Sequence, residues 1–136
     1  MKFNSTGIDE LYTVDINRLE DERGFFGRVF CSQEFDEMNL ESSVCQANIS
    51  YNKVAGTLRG MHYQKSPFQE TKFIRCIRGS IYDVVIDLRK DSPTFGKYIA
   101  IELSEENKKQ IFIPKGFAHG FIVLSKEAVL AYKVDN

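Results

Sequence analysis

Ile81-Tyr82-Asp83-Val84-Val85-Ile86-Asp87-Leu88 decides the fold. In an extended chain successive side chains point to opposite faces. Tyr82, Val84, Ile86 and Leu88 then share one face, and Ile81, Asp83, Val85 and Asp87 the other. Working outward, Tyr98–Leu103 repeats the pattern with Ile99, Ile101 and Leu103 aligned. Phe73–Ile77, Gln110–Ile113, Phe121–Leu124 and Ala128–Lys133 are further strand candidates. Arg78-Gly79-Ser80, Ser92-Pro93-Thr94 and Pro114-Lys115-Gly116 separate them as turns, and Ser125-Lys126-Glu127 reads as a tight hairpin between the last two. Helix is scarce. Ser32–Met38 is predicted to start at an N-capping Ser32, and Ser104–Asn107 to form one capped turn. Many short strands at near-regular spacing predict a sandwich or barrel, here a single all-β jelly roll over residues 1–136.

Composition narrows the function. The chain has 136 residues, 15.6 kDa and 43% hydrophobic residues, enough for one domain with a real core. Eighteen Lys and Arg against 19 Asp and Glu give a net charge of −1, which is not the footprint of a nucleic-acid binder. No apolar run approaches the roughly 20 residues that span a bilayer. Met1–Gly7 lacks the apolar region of a signal peptide. The expectation is a soluble cytoplasmic protein with no nucleic-acid or membrane partner. Cys31, Cys45 and Cys76 are odd in number without CxxC spacing, and His62 and His119 are the only histidines. Neither a disulfide framework nor a zinc knuckle fits. Nucleotide-loop and metalloprotease motifs are also absent. No metal and no cofactor are expected.

Polar residues inside strand-like segments concentrate in Leu58-Arg59-Gly60-Met61-His62-Tyr63-Gln64 and Pro114-Lys115-Gly116-Phe117-Ala118-His119-Gly120-Phe121. Both histidines lie beside glycines and aromatics. From composition and spacing, each reads equally as a functional group or as a buried hydrogen-bonding histidine.

These two segments, together with Asp21-Glu22-Arg23-Gly24-Phe25-Phe26 and Asp87-Leu88-Arg89 with Ser92-Pro93-Thr94-Phe95-Gly96, resemble the dTDP-4-dehydrorhamnose 3,5-epimerase family. The motifs run in order from about Asp15 to Lys133. The resemblance implies a metal-free cupin, a double-stranded β-helix that dimerises. It also implies a nucleotide-linked 4-keto-6-deoxyhexose as substrate, epimerised beside the ketone. A C–H next to a ketone needs a base within hydrogen-bond reach. The enolate needs a preorganised positive partner, and inversion needs a proton donor on the opposite face. His62 matches the family's base, Lys72 its enolate-stabilising cation and Tyr132 its acid. Arg59 matches a substrate arginine suited to diphosphate oxygens, and His119 a further substrate contact. Arg23, Gln46 and Asn48 match nucleotide-sugar contacts, some of which reach across the family's dimer. Lys72, Arg59 and Arg23 also read as ordinary surface charges, and Tyr132 shares a strand face with Ala128 and Leu130. Asp83 and Asp87 are left out of the site.

Strand parity sets Arg59 and His62 on opposite faces, so one pocket can hold both only if the strand bulges, most naturally at Gly60. Two departures from the family stand out. Arg28 occupies the place of a glutamate in the nucleotide-binding region, which leaves thymidine, guanosine and cytidine diphosphates open. The chain ends at Asn136, before the family's C-terminal tail and the aspartate there that partners the histidine, so His62 is expected to lack that carboxylate. Alternative readings are an epimerase acting at C3 or C5 alone, a 3,4-ketoisomerase, or a catalytically silent nucleotide-sugar-binding cupin. The Arg-Gly-x-His-Tyr-Gln run counts against the ketoisomerase.

Overall fold

A computed structural model describes residues 1–136. The strands are β1 (Lys2–Ser5), β2 (Tyr12–Asp15), β3 (Arg18–Asp21), β4 (Gly24–Gly27), β5 (Gln46–Asn52) and β6 (Leu58–His62). They continue as β7 (Lys72–Arg78), β8 (Ser80–Asp87), β9 (Tyr98–Ser104), β10 (Gln110–Ile113), β11 (Phe117–Val123) and β12 (Ala128–Val134), with one helix, α1 (Ser32–Glu37). One antiparallel sheet runs β1-β2-β10-β7-β12-β5 and a second runs β6-β11-β8-β9. They form the two walls of a jelly roll, and β3 and β4 pair as a separate hairpin. No helix is long and apolar enough to cross a membrane.

The alternation along β8 selects its faces. Ile81, Asp83, Val85 and Asp87 are buried, while Tyr82 is exposed. Ile81 and Val85 join Ile74, Cys76, Leu103, Ile111, Phe121 and Leu130 in the core between the sheets. On the outer side of the larger sheet, Phe35 of α1 packs on Val14, Phe73 and Phe112. Edge-to-face contacts of Phe35 with Phe73 and Phe112 have ring centroids 5.0 and 5.6 Å apart.

Two local expectations change. Ser32 is the first helical residue rather than the cap; Cys31 takes the cap position with extended φ/ψ and no side-chain bond. Ser125-Lys126-Glu127 does not close a hairpin. It carries the chain from β11 in one sheet to β12 in the other, because β12 pairs with β5 and β7 instead. Alternation reports which face is buried, not which strand is the neighbour. Gly79 makes the same crossing from β7 to β8 at φ 73°, and a Cβ there would lie 2.1 Å from the Glu127 carbonyl oxygen.

Asp87 locks the loop after β8. Its carboxylate accepts hydrogen bonds from the Arg89 guanidinium (2.9 and 3.0 Å), Ser92 Oγ (2.6 Å) and Thr94 Oγ1 (2.7 Å). Burial pushes its pKa up, yet the bonds from Arg89, Ser92 and Thr94 outweigh this and hold it far below the usual carboxylate range. Its stabilisation is therefore complete above the unfolded pKa near 3.9 and is lost only as pH falls through the lower folded value. Asp87→Asn is expected to cost about 2 kcal/mol in urea unfolding at pH 7, because the buried charge-assisted bonds from Arg89, Ser92 and Thr94 are weakened, while Arg89 keeps its bond to Glu10 at 2.6 Å. An unchanged midpoint would show that the cluster contributes nothing.

Candidate active site

A cavity of about 420 Å³ opens between the two sheets. From the larger sheet, β5 contributes Gln46, Asn48 and Ser50, β7 contributes Lys72 and Ile74, and β12 contributes Leu130, Tyr132 and Val134. These are alternate residues, so each strand turns one face to the cavity. The opposing wall carries Arg59 and His62 of β6, then Gln64, and His119 and Phe121 of β11. Glu70, just ahead of β7, also lines the space.

The bulge that unites Arg59 with His62 is present. His62 pairs with His119 and Arg59 with Phe121, so three steps along β6 match two along β11. Gly60 sits there at φ 97°, and a Cβ on it would come within 2.6 Å of the His119 carbonyl oxygen. A side chain at this position would push the strands apart.

Neighbours fix several of these groups. Arg59 Nε donates to Oδ1 of the buried Asn52 at 2.6 Å, and Asn52 in turn donates to Ser50 Oγ at 3.2 Å. The Lys72 ammonium is 2.8 Å from Glu70 Oε1. Nε2 of His119 lies 2.8 Å from Oδ2 of Asp83, which is fully buried. Burial raises the Asp83 pKa, and His119 pulls it back down. His119 Nδ1 is buried without a partner in the chain. The rings of His62 and His119 stand nearly perpendicular, with centroids 6.0 Å apart. Burial, Lys72 and His119 lower the His62 pKa from 6.5, and Glu70 opposes them. Neutral imidazole therefore predominates at pH 7, the form able to accept a proton.

Seven residues singled out in the sequence thus meet in one cavity: His62, Tyr132, Lys72, Arg59, His119, Gln46 and Asn48. Arg23 lies elsewhere. It sits at the turn of the β3–β4 hairpin, 84% exposed and bonded to Asp21 at 2.6 Å. Arg28 follows that hairpin and pairs with Glu34 at 3.1 Å. Asp83 and Glu70 were not singled out for the site. An aspartate on the apolar face of β8 was the available signal for Asp83; Glu70 carried none beyond its place two residues before Lys72.

Residues 5–136 match the family model described as dTDP-4-dehydrorhamnose 3,5-epimerase. A curated relative of that name from Shigella flexneri is 44% identical over the whole chain, which spans 75% of the relative's length. The crystal structure of the dTDP-4-dehydrorhamnose 3,5-epimerase from Elizabethkingia anophelis superposes with a TM-score of 0.96 at 44% identity, covering 100% of this chain and 74% of that one. A Legionella pneumophila dTDP-6-deoxy-D-glucose-3,5-epimerase, solved in complex with dTDP-4-keto-L-rhamnose, gives a TM-score of 0.91 at 42% identity, covering 99% of this chain and 71% of that one. With motifs, fold and nearly full-length similarity in agreement, the chain belongs to the dTDP-4-dehydrorhamnose 3,5-epimerase family.

Proposed function

We propose that the protein epimerises a nucleotide-linked 4-keto-6-deoxyhexose, of the dTDP-4-dehydro-6-deoxyglucose type, at C3 and C5. One observation carries this reading beyond family membership. His62 stands on one wall of the cavity, while Lys72 and Tyr132 stand on the other. A flat enolate held between the walls has a base on one side and an acid on the opposite side.

The steps follow from that arrangement. Neutral His62 takes the proton beside the ketone, and the C–H electron pair becomes the enolate, with its charge on the carbonyl oxygen. Lys72 stabilises that charge from a largely dehydrated position. Tyr132 delivers a proton from its phenol hydroxyl to the other face. The carbon then carries the inverted configuration. Arg59, anchored through Nε by Asn52, offers its remaining N–H groups to diphosphate oxygens. His119, Gln46 and Asn48 contact the nucleotide sugar. No step requires a metal or cofactor in this reading, and the cytoplasm is the proposed location.

The test is incubation of candidate 4-keto sugars, dTDP-linked first, in D2O with NMR detection of deuterium. Incorporation at C3 and C5 supports the reading. Incorporation at one carbon reduces it to a narrower epimerase, and at neither to a binding protein.

We further propose a homodimer. Leu58, Ile122 and Tyr82 lie side by side across β6, β11 and β8 and are all exposed. Leu19, Phe25 and Phe26 are exposed on the β3–β4 hairpin. Such contiguous apolar surface marks an interaction site, and a second copy would let the hairpin bring Arg23 to the neighbouring cavity. Light scattering at micromolar concentration should report twice the 15.6 kDa chain mass. A single-chain mass would remove both the dimer and Arg23's part in the site.

A further inference from the structure

Glu70 is a cavity carboxylate that the steps above leave without a part. Its side chain is 18% exposed and that of Lys72 11%, so their 2.8 Å contact is shielded from the screening that makes most surface ion pairs weak. A lysine head on a flexible four-carbon stem samples many rotamers. Tethered to a carboxylate, it samples few. We propose that Glu70 is a positioning residue: it fixes the Lys72 ammonium for the enolate oxygen and offsets its charge beside His62. This rests on the role given to Lys72 above.

The stoichiometry of donors permits it. An ammonium has three N–H groups. One serves Glu70, which leaves others for the substrate oxygen. Glu70 itself stays off that oxygen, since two negative charges would repel. The cavity that holds His62 is also lined by Lys72 of β7, His119 of β11, Tyr132 of β12, Arg59 of its own strand and Glu70 ahead of β7, with Asp83 of β8 buried behind His119. Among the lining residues Glu70 is the carboxylate, and it raises the His62 pKa against burial, Lys72 and His119.

Three variants test the proposal: Glu70→Ala, Glu70→Gln and Lys72→Ala. The measurements are kcat, KM and deuterium exchange with a dTDP-4-keto-6-deoxyglucose substrate. Glu70→Ala frees the ammonium, so kcat is expected to fall about tenfold with KM within about threefold, the mark of an interaction realised in the transition state. Glu70→Gln keeps an oxygen acceptor for Lys72 but removes the charge. Its kcat should stay within about threefold of wild type, while the acidic limb of kcat/KM moves to lower pH as His62 becomes harder to protonate. Wild-type kcat in Glu70→Ala, an unmoved limb in Glu70→Gln, or an equal fall in both variants overturns the proposal. If Glu70→Ala melts early by circular dichroism, the Glu70→Gln profile decides alone. Lys72→Ala keeps the two readings apart. Full exchange in that variant overturns the role of Lys72 itself, whereas lost exchange there beside an unaffected Glu70→Ala overturns only Glu70.

Discussion

His62→Asn is expected to abolish deuterium exchange at both carbons while leaving nucleotide-sugar binding within about tenfold, or 1.4 kcal/mol. The asparagine amide keeps a polar side chain on the bulged strand but has no site that titrates near neutrality. General-base catalysis contributes roughly 10²–10⁴-fold, so the loss should leave exchange near background. Binding depends on other groups, with Arg59 held by Asn52 and His119 held by Asp83. The wild-type profile supplies a second check. Because burial, Lys72 and His119 lower the His62 pKa, kcat/KM should decline in acid only below the ordinary histidine value near 6.5. Retained exchange in His62→Asn would rule the residue out as the base and move the search to His119.

Arg59, His62 and His119 were legible because they sit in contiguous motifs, whereas Lys72, Tyr132, Gln46 and Asn48 lie outside those motifs and were named only through the family resemblance. Arg59 and His62 share one run of seven residues, and the conflict between their strand parity and a shared pocket pointed to the bulge at Gly60. Asp83 was harder. Its position on the buried face of β8 could be read from alternation, but its partner is 36 residues away on β11, and only the β8–β11 pairing brings them to 2.8 Å. The unexpected crossing at Ser125–Glu127 has the same origin: local pattern fixes burial, while strand order depends on long-range pairing. Arg23 differs in kind. Its hairpin pairs apart from the two sheets, so this chain's own packing does not bring Arg23 to the cavity.

Tyr132→Phe is expected to separate proton removal from inversion. Abstraction by His62 makes a planar enolate that Lys72 can stabilise without the phenol. Return of a proton from His62 to the same face remains open, and in D2O it deposits deuterium with retention. Delivery to the far face needs a donor on the opposite wall, where Tyr132 stands beside Lys72 and Ile74. The variant should therefore exchange substrate hydrogen at a rate within about tenfold of wild type, yet form epimer at least about 100-fold more slowly, the scale of a lost general acid. Packing gives no competing explanation. Tyr132 packs its ring against the core between the sheets, and phenylalanine keeps that ring while removing one hydroxyl. No hydrogen bond from the Tyr132 hydroxyl ties it to the rest of the chain, so the fold loses no bond with it. An unchanged melting curve beside an unchanged epimerisation rate would make Tyr132 a core aromatic, with the donor elsewhere. Lost exchange together with lost epimerisation would instead mean that the phenol takes part in forming the enolate, and the division of labour between the two walls would fail.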